Sequence, residues 1–367
     1  MPKYIHQQSQ WPDFKWNHEV ILPVLAKVRH KQGRIKGYME VLGFALRDET
    51  TLRTLTQDVL KSTEIEGEIL NPDQVRSSIA RHLGMDVAGL VPSDRNVEGV
   101  VEMMLNATQH YRKPLDKNRL FGWHASLFPT GRSGMHKIAV GKWRDNKKGP
   151  MQVVSGAMGK ERVHYEAPDA DRLNKEMKLF LDWFNAPDST DAVLKSAIAH
   201  LWFLTVHPFD DGNGRIARAI ADMQLARADG DKQRFYSMSA QIRIERKSYY
   251  DILETTQKGS LDITGWLLWF LQCIDRALSA TDEVLKRVLH KTRFWDKHAQ
   301  TAINERQRLI INKLFDGFDG KLNSSKWAKI AKCSADTALR DIQDLIDKEI
   351  LQKESAGGRS TNYVLKD

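Results

Sequence analysis

Apolar residues recur three and four positions apart along most of this 367-residue chain, which is the spacing of amphipathic α-helices. Alternating apolar and polar positions, which indicate strands, are scarce, and the clearest example is the PMQVV run between Gly149 and Gly156. It follows a basic, turn-rich stretch at residues 143–148, and together they predict a β-hairpin. The pattern predicts a mainly α fold with one hairpin, its helices within residues 20–28, 38–46, 52–65, 173–184, 192–206, 216–228, 263–278 and 302–315.

Two interruptions of this helical pattern predict the domain organisation. Short polar residues, glycines and prolines separate the helices at residues 84–92, and a charged segment follows the apolar run that ends near Leu278. We therefore predict an N-terminal helical domain at 1–84, a central domain at 85–285, a linker at 286–300 and a C-terminal domain at 301–367. A chain of this length can bury a substantial core.

The composition is that of a folded, soluble protein, with 41% hydrophobic and 28% charged residues. Its two cysteines, Cys273 and Cys333, form no CxxC motif and no Cys/His cluster, so we expect no disulfide framework, no structural zinc and a cytoplasmic location. The N-terminus has no signal-peptide core and no apolar run reaches membrane length, so we expect no membrane association. The net charge of +9 allows anionic partners such as nucleotides or nucleic acid.

One segment, HPFDDGNGRIAR at residues 207–218, predicts an anion-binding loop between two helices. Pro208 cannot continue the preceding helix, and Gly212, Asn213 and Gly214 tolerate the positive φ angles of a tight turn. A glycine-rich loop that leads into a helix presents backbone N–H groups at the positive end of the helix dipole. This arrangement suits a phosphate chain.

The charged residues of the same segment add to this chemistry. Arg215 and Arg218 project from neighbouring positions of one helix face and could bind phosphate oxygens or a carboxylate. Asp211 supplies a carboxylate beside the anion site, as is common for Mg²⁺ bound with a nucleotide, and His207 could remove a proton from a hydroxyl. A purely structural alternative is a corner between two capped helices, with the arginines facing solvent.

The segment matches, at nine specified positions and in order, the signature HPFx(D/E)GNGRxxR of the Fic (Fido) family. This resemblance implies a helical Fic core with a β-hairpin flap that transfers AMP from ATP to a Tyr, Thr or Ser hydroxyl of a protein, with release of pyrophosphate. It implies that His207 is the base and that Asp211 holds Mg²⁺. The phosphates would contact the remaining motif residues: Gly212, Asn213, Gly214, Arg215 and Arg218.

The resemblance also assigns two further groups of residues. The predicted hairpin, 141–144 paired with 153–154, lies where Fic proteins carry the flap that aligns the target by strand addition, which implies a target-positioning role for Lys142, Trp143 and Arg144. The downstream helix around residues 243–254 resembles the adenine-side helix of the family. Its adenosine-binding candidates, which could equally be core residues, are Tyr249, Tyr250 and Gln257.

An inhibitory motif is expected upstream, where residues 62–67 read STEIEG. Taken alone, Glu66 is a carboxylate at a helix end, with Gly67 placed to end the helix. The spacing (S/T)xxxE(G/N) resembles the inhibitory motif of Fic proteins, and its position resembles the class in which inhibition is intramolecular. Ser62, Glu66 and Gly67 would form this inhibitor, with Glu66 paired to Arg218 in the place of the γ-phosphate.

The flanking domains resemble parts of a bacterial Fic subset. Residues 1–84 are similar to its N-terminal helical domain of unknown function, and residues 301–367 predict a winged helix-turn-helix domain with a third helix at 335–347. DNA contacts would come from Thr337, Arg340 and the wing residue Arg359, although the four aspartates of that helix weaken the basic footprint. Such a domain could instead bind protein.

The sequence therefore predicts an auto-inhibited protein adenylyltransferase whose target is another protein or itself. Two alternatives remain: a Fic enzyme that transfers a different phosphate-containing group, and a winged-helix regulator whose Fic core senses ATP. ATP is the expected co-substrate, Mg²⁺ the expected cofactor and a homodimer the expected assembly.

Overall fold

The computed structural model describes residues 3–41, 44–87, 89–147, 149–156, 160–187, 189–315, 318, 320–354 and 361–366. The chain is mainly helical, as predicted, and it divides into two compact units, Met1–Thr281 and Asp282–Asp367. The described helices are α1 (His18–Val41), α2 (Phe44–Ile65), α3 (Pro72–Leu83), α4 (Arg95–Gln109), α5 (Lys117–Leu127), α6 (Leu173–Asn185), α7 (Ala192–Val206), α8 (Asn213–Asp229), α9 (Met238–Ile244), α10 (Arg246–Gln257), α11 (Thr264–Lys297), α12 (Glu305–Phe315), α13 (Ser324–Ala331) and α14 (Ala335–Asp347).

Helices α7 and α8 form the centre of the first unit. Helix α7 is apolar on all sides, and every side chain from Val193 to Val206 is buried, as expected of a helix surrounded by others. Helix α8 packs along it and is buried almost throughout from Asn213 to Ala226. The loop between these two helices is therefore anchored at both ends by the core.

Helix α2 packs against α3, α8 and α9, which brings the N-terminal part of the chain onto the central helix pair. A buried ion network strengthens this contact: Arg234 donates to Asp58 of α2 at 3.0 Å and to Asp222 of α8 at 2.6 Å. Ser237 also donates to Asp58, at 2.5 Å. The second half of α2 is thereby tied to the middle of α8.

The described strands form three two-stranded antiparallel ribbons: β1 (Arg132–Ser133) with β2 (His136–Lys137), β3 (Gln152–Ser155) with β4 (Arg162–Glu166), and β5 (Leu351–Lys353) with β6 (Tyr363–Leu365). In the second ribbon Gln152 faces Glu166 and Val153 faces Tyr165, with a bulge after Val153. Tyr165 is buried against Tyr4, with ring centroids 5.1 Å apart. This contact fixes the inner face of β4.

The predicted hairpin is wrong in one strand. Strand β3 falls where the sequence predicts, but its partner is β4 and not residues 141–144, which form an irregular segment. The reason is tertiary packing: the ring of Trp143 lies against Phe121, at 4.6 Å between centroids, and the Arg144 side chain is buried among backbone carbonyls. In a strand, neighbouring side chains point to opposite faces, so Trp143 and Arg144 would not keep both of these contacts.

The second unit, considered by itself, contains α12, α13, α14 and the β5–β6 ribbon around a core that includes Ile310, Trp327 and Leu345. Helix α14 has the predicted bounds, and Ser334 caps it by accepting from the backbone N–H of Thr337 at 3.2 Å. Residues 351–353 pair with residues 363–365 as antiparallel strands. The predicted wing contact Arg359 lies outside the described residues, and the winged-helix assignment stays a prediction.

Helix α11 continues into residues that the sequence predicts as a linker. It ends at Lys297, and the apolar spacing is kept by Leu285, Leu289 and Phe294, all of which are buried. Among the described residues, no helix combines the length and apolar character that crossing a membrane requires.

Candidate functional site

The loop that joins α7 to α8 is built by two residues with left-handed backbone conformations. His207 ends α7 with φ 51°, and Gly212 precedes α8 with φ 78°. A side chain at position 212 would also collide with Phe128, because its Cβ would lie 2.8 Å from Phe128 Cε2. Glycine is therefore required at this position both by backbone conformation and by packing.

The Asn213 side chain makes two hydrogen bonds to the backbone of the same loop. Its Oδ1 accepts from the Phe209 N–H at 3.0 Å, and its Nδ2 donates to the Phe209 carbonyl at 2.8 Å. Phe209 is fully buried, with its ring stacked on His124 at 4.2 Å between centroids. The Asn213 side chain thus fixes the shape of the loop between α7 and α8.

A hydrogen bond to the backbone fixes the tautomer of His207. Its Nδ1 lies 3.2 Å from the Leu204 carbonyl, which can only accept a hydrogen bond, so Nδ1 carries the proton and Nε2 carries the lone pair. Burial lowers the pKa of His207 to about 4, the charge of Arg144 acts in the same direction, and Asp211 and Glu66 oppose it. The imidazole is therefore neutral at pH 7, which is the form that accepts a proton.

Arg218 is bound by the end of α2 and is 98% buried. Its Nε donates to Ser62 Oγ at 2.9 Å, and its Nη2 donates to the Ser62 carbonyl at 2.8 Å and to Glu66 Oε1 at 2.7 Å. The predicted pair of Glu66 with Arg218 is thus present in the geometry. Gly67, with φ 89°, turns the chain directly after Glu66.

Glu66 also reaches the loop between α7 and α8. A Cβ on Gly214 would overlap Glu66 Oε1 and would lie 2.9 Å from Glu66 Cδ. The carboxylate therefore lies directly against the backbone of Gly214, in the space between the loop and Arg218. Only glycine at position 214 leaves room for this carboxylate.

Arg215 has an acidic partner that the sequence reasoning missed. Its Nη1 donates to Glu68 Oε2 at 2.9 Å, and its guanidinium also lies over the Phe128 ring, 5.2 Å from the centroid. The Arg215 side chain is 4% exposed, whereas that of Glu68 is 54% exposed. Both motif arginines are consequently paired with carboxylates that follow α2.

Asp211, the predicted metal ligand, is bound to its own loop and to β1. Its Oδ1 accepts from the Gly212 N–H at 2.6 Å, and its Oδ2 accepts from the hydroxyl of Ser133. The neighbouring Asp210 accepts from the Ala139 N–H at 2.9 Å. Within the described ranges no group of three or more His, Cys, Asp or Glu side chains is placed to hold a metal ion. Any Mg²⁺ at Asp211 would need its other ligands from a nucleotide and water.

The three adenosine-binding candidates lie in different environments. Tyr249 is 1% exposed, and its hydroxyl meets His200 Nε2 at 2.8 Å, so it is part of the core. Gln257 is buried as well. Tyr250 is 37% exposed and lies under the Arg246 guanidinium at 5.2 Å. Among these three residues, Tyr250 therefore has the exposed ring surface that an adenine ring could contact.

The three predicted flap residues do not form a common surface. Trp143 packs against Phe209 of the motif loop at 5.1 Å between centroids, and Arg144 is 96% buried and bonds to the backbone on either side of His207. Lys142, in contrast, is exposed. Trp143 and Arg144 therefore pack against the loop that joins α7 to α8. The hairpin in this part of the chain is the β3–β4 ribbon.

The sequence reasoning missed several residues that this geometry brings to the site. They share no motif, because each acts through a tertiary contact: Glu68 on Arg215, Ser133 on Asp211, and Arg246, which donates to the Ile65 carbonyl at 2.8 Å where α2 ends. An acidic residue two positions after Glu66 is the one local signal among them.

The fold and the site together define a helical protein in which a carboxylate from its own N-terminal part lies against the loop between α7 and α8. Residues 114–225 match the Fic/DOC family, and residues 4–85 match a domain of unknown function, DUF4172. The central part of the chain is therefore similar to the Fic/DOC family, and its N-terminal part is similar to DUF4172.

Curated relatives carry the same domain. A protein named protein adenylyltransferase Fic from Nematostella vectensis is 30% identical over 115 residues, which cover 31% of this chain and 25% of that protein. Another of that name, from Drosophila willistoni, is 31% identical over 226 residues, which cover 60% of this chain and 40% of that protein. The chain spans two fifths or less of the length of these two relatives.

A solved structure has a similar fold. It is a Fic family protein from Desulfovibrio desulfuricans G20, with a TM-score of 0.52, 21% sequence identity, and coverage of 96% of this chain and 98% of that chain. At this identity the likeness concerns the fold alone.

Proposed function

We propose that this protein is an auto-inhibited protein adenylyltransferase that transfers AMP from ATP to a Tyr, Thr or Ser hydroxyl of a protein. The observation that carries the proposal is the occupation of Arg218 by Glu66 and Ser62 within a fully matched Fic motif. The names of the curated relatives support the same activity. Other groups of the same class, such as phosphoryl, uridylyl or phosphocholine, are the alternative chemistry.

In the proposed reaction the target hydroxyl oxygen forms a bond to the α-phosphorus, and the bond from that phosphorus to the bridging oxygen breaks. Pyrophosphate leaves, and the hydroxyl proton passes to His207 Nε2. The neutral imidazole, fixed by its Nδ1 contact to Leu204, is suited to this step. The protein's contribution is the orientation of the base and the binding of the phosphates.

The phosphates would bind at the start of α8. The N–H groups of Gly212, Asn213 and Gly214 lie at the positive end of this helix, and the two buried arginines can bind outer phosphate oxygens. Asp211 and phosphate oxygens would hold Mg²⁺, which supplies charge neutralisation. Ser133, which donates to Asp211, would keep that carboxylate oriented.

Inhibition follows from competition for the same donors. The Glu66 carboxylate lies against Gly214 and takes the Nη2 of Arg218, so a phosphate cannot use this donor until Glu66 moves. A buried arginine that loses one anionic partner must gain another, because an unpaired buried charge is costly. ATP and Glu66 are therefore alternative partners of Arg218.

The test is label transfer to protein from [α-³²P]ATP with Mg²⁺, comparing the wild type, Glu66→Gly, and Glu66→Gly combined with His207→Ala. Label should appear in Glu66→Gly and disappear when His207 is also replaced. Glu64→Gln is the matched control, since Glu64 pairs with Lys61 and Arg243 and not with a motif arginine. It should behave as the wild type.

The same assay separates the chemistries. Label from [γ-³²P]ATP but not from [α-³²P]ATP would indicate that the protein transfers a phosphoryl group and not an adenylyl group. Label from [α-³²P]UTP, or from CDP-choline labelled in its choline, would indicate a different transferred group. Absence of transfer from every donor to the protein itself and to candidate targets in Glu66→Gly would overturn the proposal.

Three further expectations concern the setting of the enzyme. We propose a cytoplasmic location, supported by the free thiols of Cys273 and Cys333, a protein target that is either a partner or the enzyme itself, and a homodimer. Mass spectrometry of the labelled protein locates the modified hydroxyl, and light scattering of the purified chain gives its mass.

The second unit is the basis of the alternative function, a DNA-binding regulator. Its three helices and antiparallel ribbon have the order of a winged helix, and exposed lysines line α13. The exposed positions of α14 include Arg340 but also Asp336 and Asp347. Binding of the full chain to duplex DNA with a steep salt dependence, reduced by Arg340→Ala, would support this function. Salt-insensitive or absent binding would leave the unit as a protein-interaction module.

A further inference from the structure

Arg144 makes an unusual set of contacts around the proposed base. Its backbone N–H donates to the Pro208 carbonyl at 3.0 Å, its Nε donates to the His207 carbonyl at 2.8 Å, and its Nη2 donates to the Pro168 carbonyl at 2.5 Å. The side chain is 96% buried. One residue, 63 positions upstream of His207, thus binds the two successive carbonyls of His207 and Pro208.

His207 needs such a contact, because its φ of 51° lies in the left-handed region that residues with a side chain rarely adopt. A conformation of this kind persists where surrounding contacts determine it. Arg144 donates hydrogen bonds to the His207 and Pro208 carbonyls, and these bonds hold the backbone in this conformation.

We propose that Arg144 is a positioning residue for His207: it holds the His207–Pro208 backbone so that Nδ1 meets the Leu204 carbonyl and Nε2 is left as the base. This inference rests on the proposed function of His207. It replaces the target-positioning role that the sequence resemblance assigns to Arg144, because a buried guanidinium bonded to backbone cannot contact a target segment.

Arg144 acts on His207 in two separable ways. Its hydrogen bonds fix the backbone, and its positive charge lowers the pKa of the imidazole. A lysine at this position keeps the charge but has a single, flexible donor group in place of the rigid fork. Methionine keeps much of the side-chain length and removes both the charge and the donors.

The test compares Arg144→Lys and Arg144→Met in the Glu66→Gly background. Both should lower kcat by roughly 10- to 100-fold, the effect of a base displaced by about 1 Å, with the KM for ATP unchanged. The apparent pKa of His207, followed by NMR of ¹³C-labelled histidine and assigned with His207→Ala, should stay low in Arg144→Lys and rise in Arg144→Met. Lys178→Gln, an exposed charge change on α6, should match the parent in both measurements.

The outcomes separate this inference from the proposed function. If both Arg144 variants are folded by circular dichroism and keep the parent's kcat, Arg144 does not position His207. If the parent itself transfers no group, the proposed function fails, and the NMR signal then decides: an unchanged His207 chemical shift and pKa in Arg144→Met would overturn the positioning role.

A second inference comes independently from Arg215. The turn after α2 delivers two carboxylates to α8, Glu66 to Arg218 and Glu68 to Arg215. The Nε of Arg215 has no protein partner within the described part of the chain, and it is buried. The guanidinium is therefore only partly satisfied by Glu68.

We propose that Glu68 is a second restraining carboxylate, which must release Arg215 before that arginine can bind a phosphate. This inference also rests on the proposed site. Its ion pair is more exposed than that of Glu66, so its effect is smaller and more sensitive to salt.

Binding of α,β-methylene-ATP with Mg²⁺, measured by calorimetry, tests this without any transfer reaction. Glu68→Gln should tighten binding roughly 2- to 5-fold, as expected for an exposed ion pair, and the gain should shrink at high salt. Glu64→Gln controls for the loss of one negative charge at the same turn. If Glu66→Gly tightens binding and Glu68→Gln does not, Glu68 is no restraint; if neither does, the inhibitory part of the proposed function fails as well.

Discussion

Glu66 Oε1 and Arg218 Nη2 lie 2.7 Å apart, although 152 residues separate them in the sequence. The pair joins the end of α2 to the first turns of α8, and Ser62 completes it from one turn earlier on α2. Because Arg218 is buried, its hydrogen bonds to this turn are shielded from water. The N-terminal part of the chain thus holds the residue that, in the proposed function, binds the nucleotide phosphates.

Ser62 should contribute measurably to this restraint. Ser62→Ala removes the acceptor for Arg218 Nε and leaves the Ser62 carbonyl and Glu66 in place. A hydrogen bond to a charged group contributes about 1.5–3 kcal/mol, so we expect transfer activity to rise at least tenfold, yet to stay below that of Glu66→Gly. The check is label transfer from [α-³²P]ATP.

The control for Ser62 is its neighbour Thr63, whose hydroxyl bonds back to the Val59 carbonyl within α2 at 3.0 Å. Thr63→Val should leave transfer activity at the wild-type level. Equal activation by both variants would show that loosening α2 in general, and not the Ser62 contact, releases Arg218.

His207 should give an unusually flat pH profile. Burial lowers its pKa to about 4, so the imidazole stays neutral, and able to accept a proton, far below neutral pH. In Glu66→Gly we expect kcat/KM to change less than about twofold between pH 8 and 5.5, because the profile reports the free enzyme's base. An ordinary histidine with pKa 6.5 would lose about tenfold over this range. Such a tenfold loss, with the fold intact by circular dichroism, would contradict the burial of the base.

The sequence predicts most of the site because its chemistry is concentrated in one contiguous loop. His207, Asp211, Arg215 and Arg218 come from a single helix–turn–helix junction, where local rules for proline, glycine and helix starts apply. Glu66 is remote but belongs to a motif of its own.

Residues that depend on tertiary packing could not be predicted in the same way. The choice of β4 as the partner of β3 is decided by the burial of Tyr165 against Tyr4, which local alternation does not show. For the tyrosine pair a local signal did exist: Tyr249 shares a buried helix face with Leu253 and Thr256, at spacings of four and three, whereas Tyr250 does not. Glu68 and Ser133 are ordinary polar positions until the chain is folded.

The buried ion network of Arg234 should be essential for stability. Arg234→Met would leave Asp58 and Asp222 facing each other in the interior, and breaking a buried pair in this way costs about 3–5 kcal/mol. Arg243→Met is the matched control, since its guanidinium is 45% exposed and pairs with Glu64 at 3.4 Å, for which the cost is about 1 kcal/mol or less. Urea unfolding followed by circular dichroism measures both.

The pH dependence of this loss has a definite sign. Burial and the nearby Asp222 already raise the pKa of Asp58 to about 7, so between about pH 4 and 7 the folded protein holds more protons than the unfolded chain. Stability contributed by this group therefore falls as the pH rises, and without Arg234 the carboxylates must be neutralised by protons alone. The destabilisation should be larger at pH 8 than at pH 5; the reverse order would show that the network does not act through ionised carboxylates.

Glu254 should control how firmly the β3–β4 ribbon is attached to α10. Its carboxylate accepts from Lys258 at 2.6 Å, from His164 at 2.6 Å and from Arg162 at 3.1 Å, and these contacts hold its pKa at about 2. Glu254→Ala removes the tie between the ribbon and α10. We expect amide hydrogen exchange in the ribbon to accelerate about 5- to 10-fold, which corresponds to about 1–1.4 kcal/mol.

A control variant and a kinetic comparison test whether the effect of Glu254→Ala comes from the ribbon. Asp251→Ala removes an exposed α10 carboxylate whose ion pair, within the described residues, is with Lys247 of its own helix, so exchange in the ribbon should not change. In the Glu66→Gly background, Glu254→Ala should raise the KM for a protein target more than the KM for ATP, because a mobile ribbon aligns an added strand less well. Unaltered ribbon exchange in Glu254→Ala would mean that the Tyr165 pocket alone holds the hairpin in place.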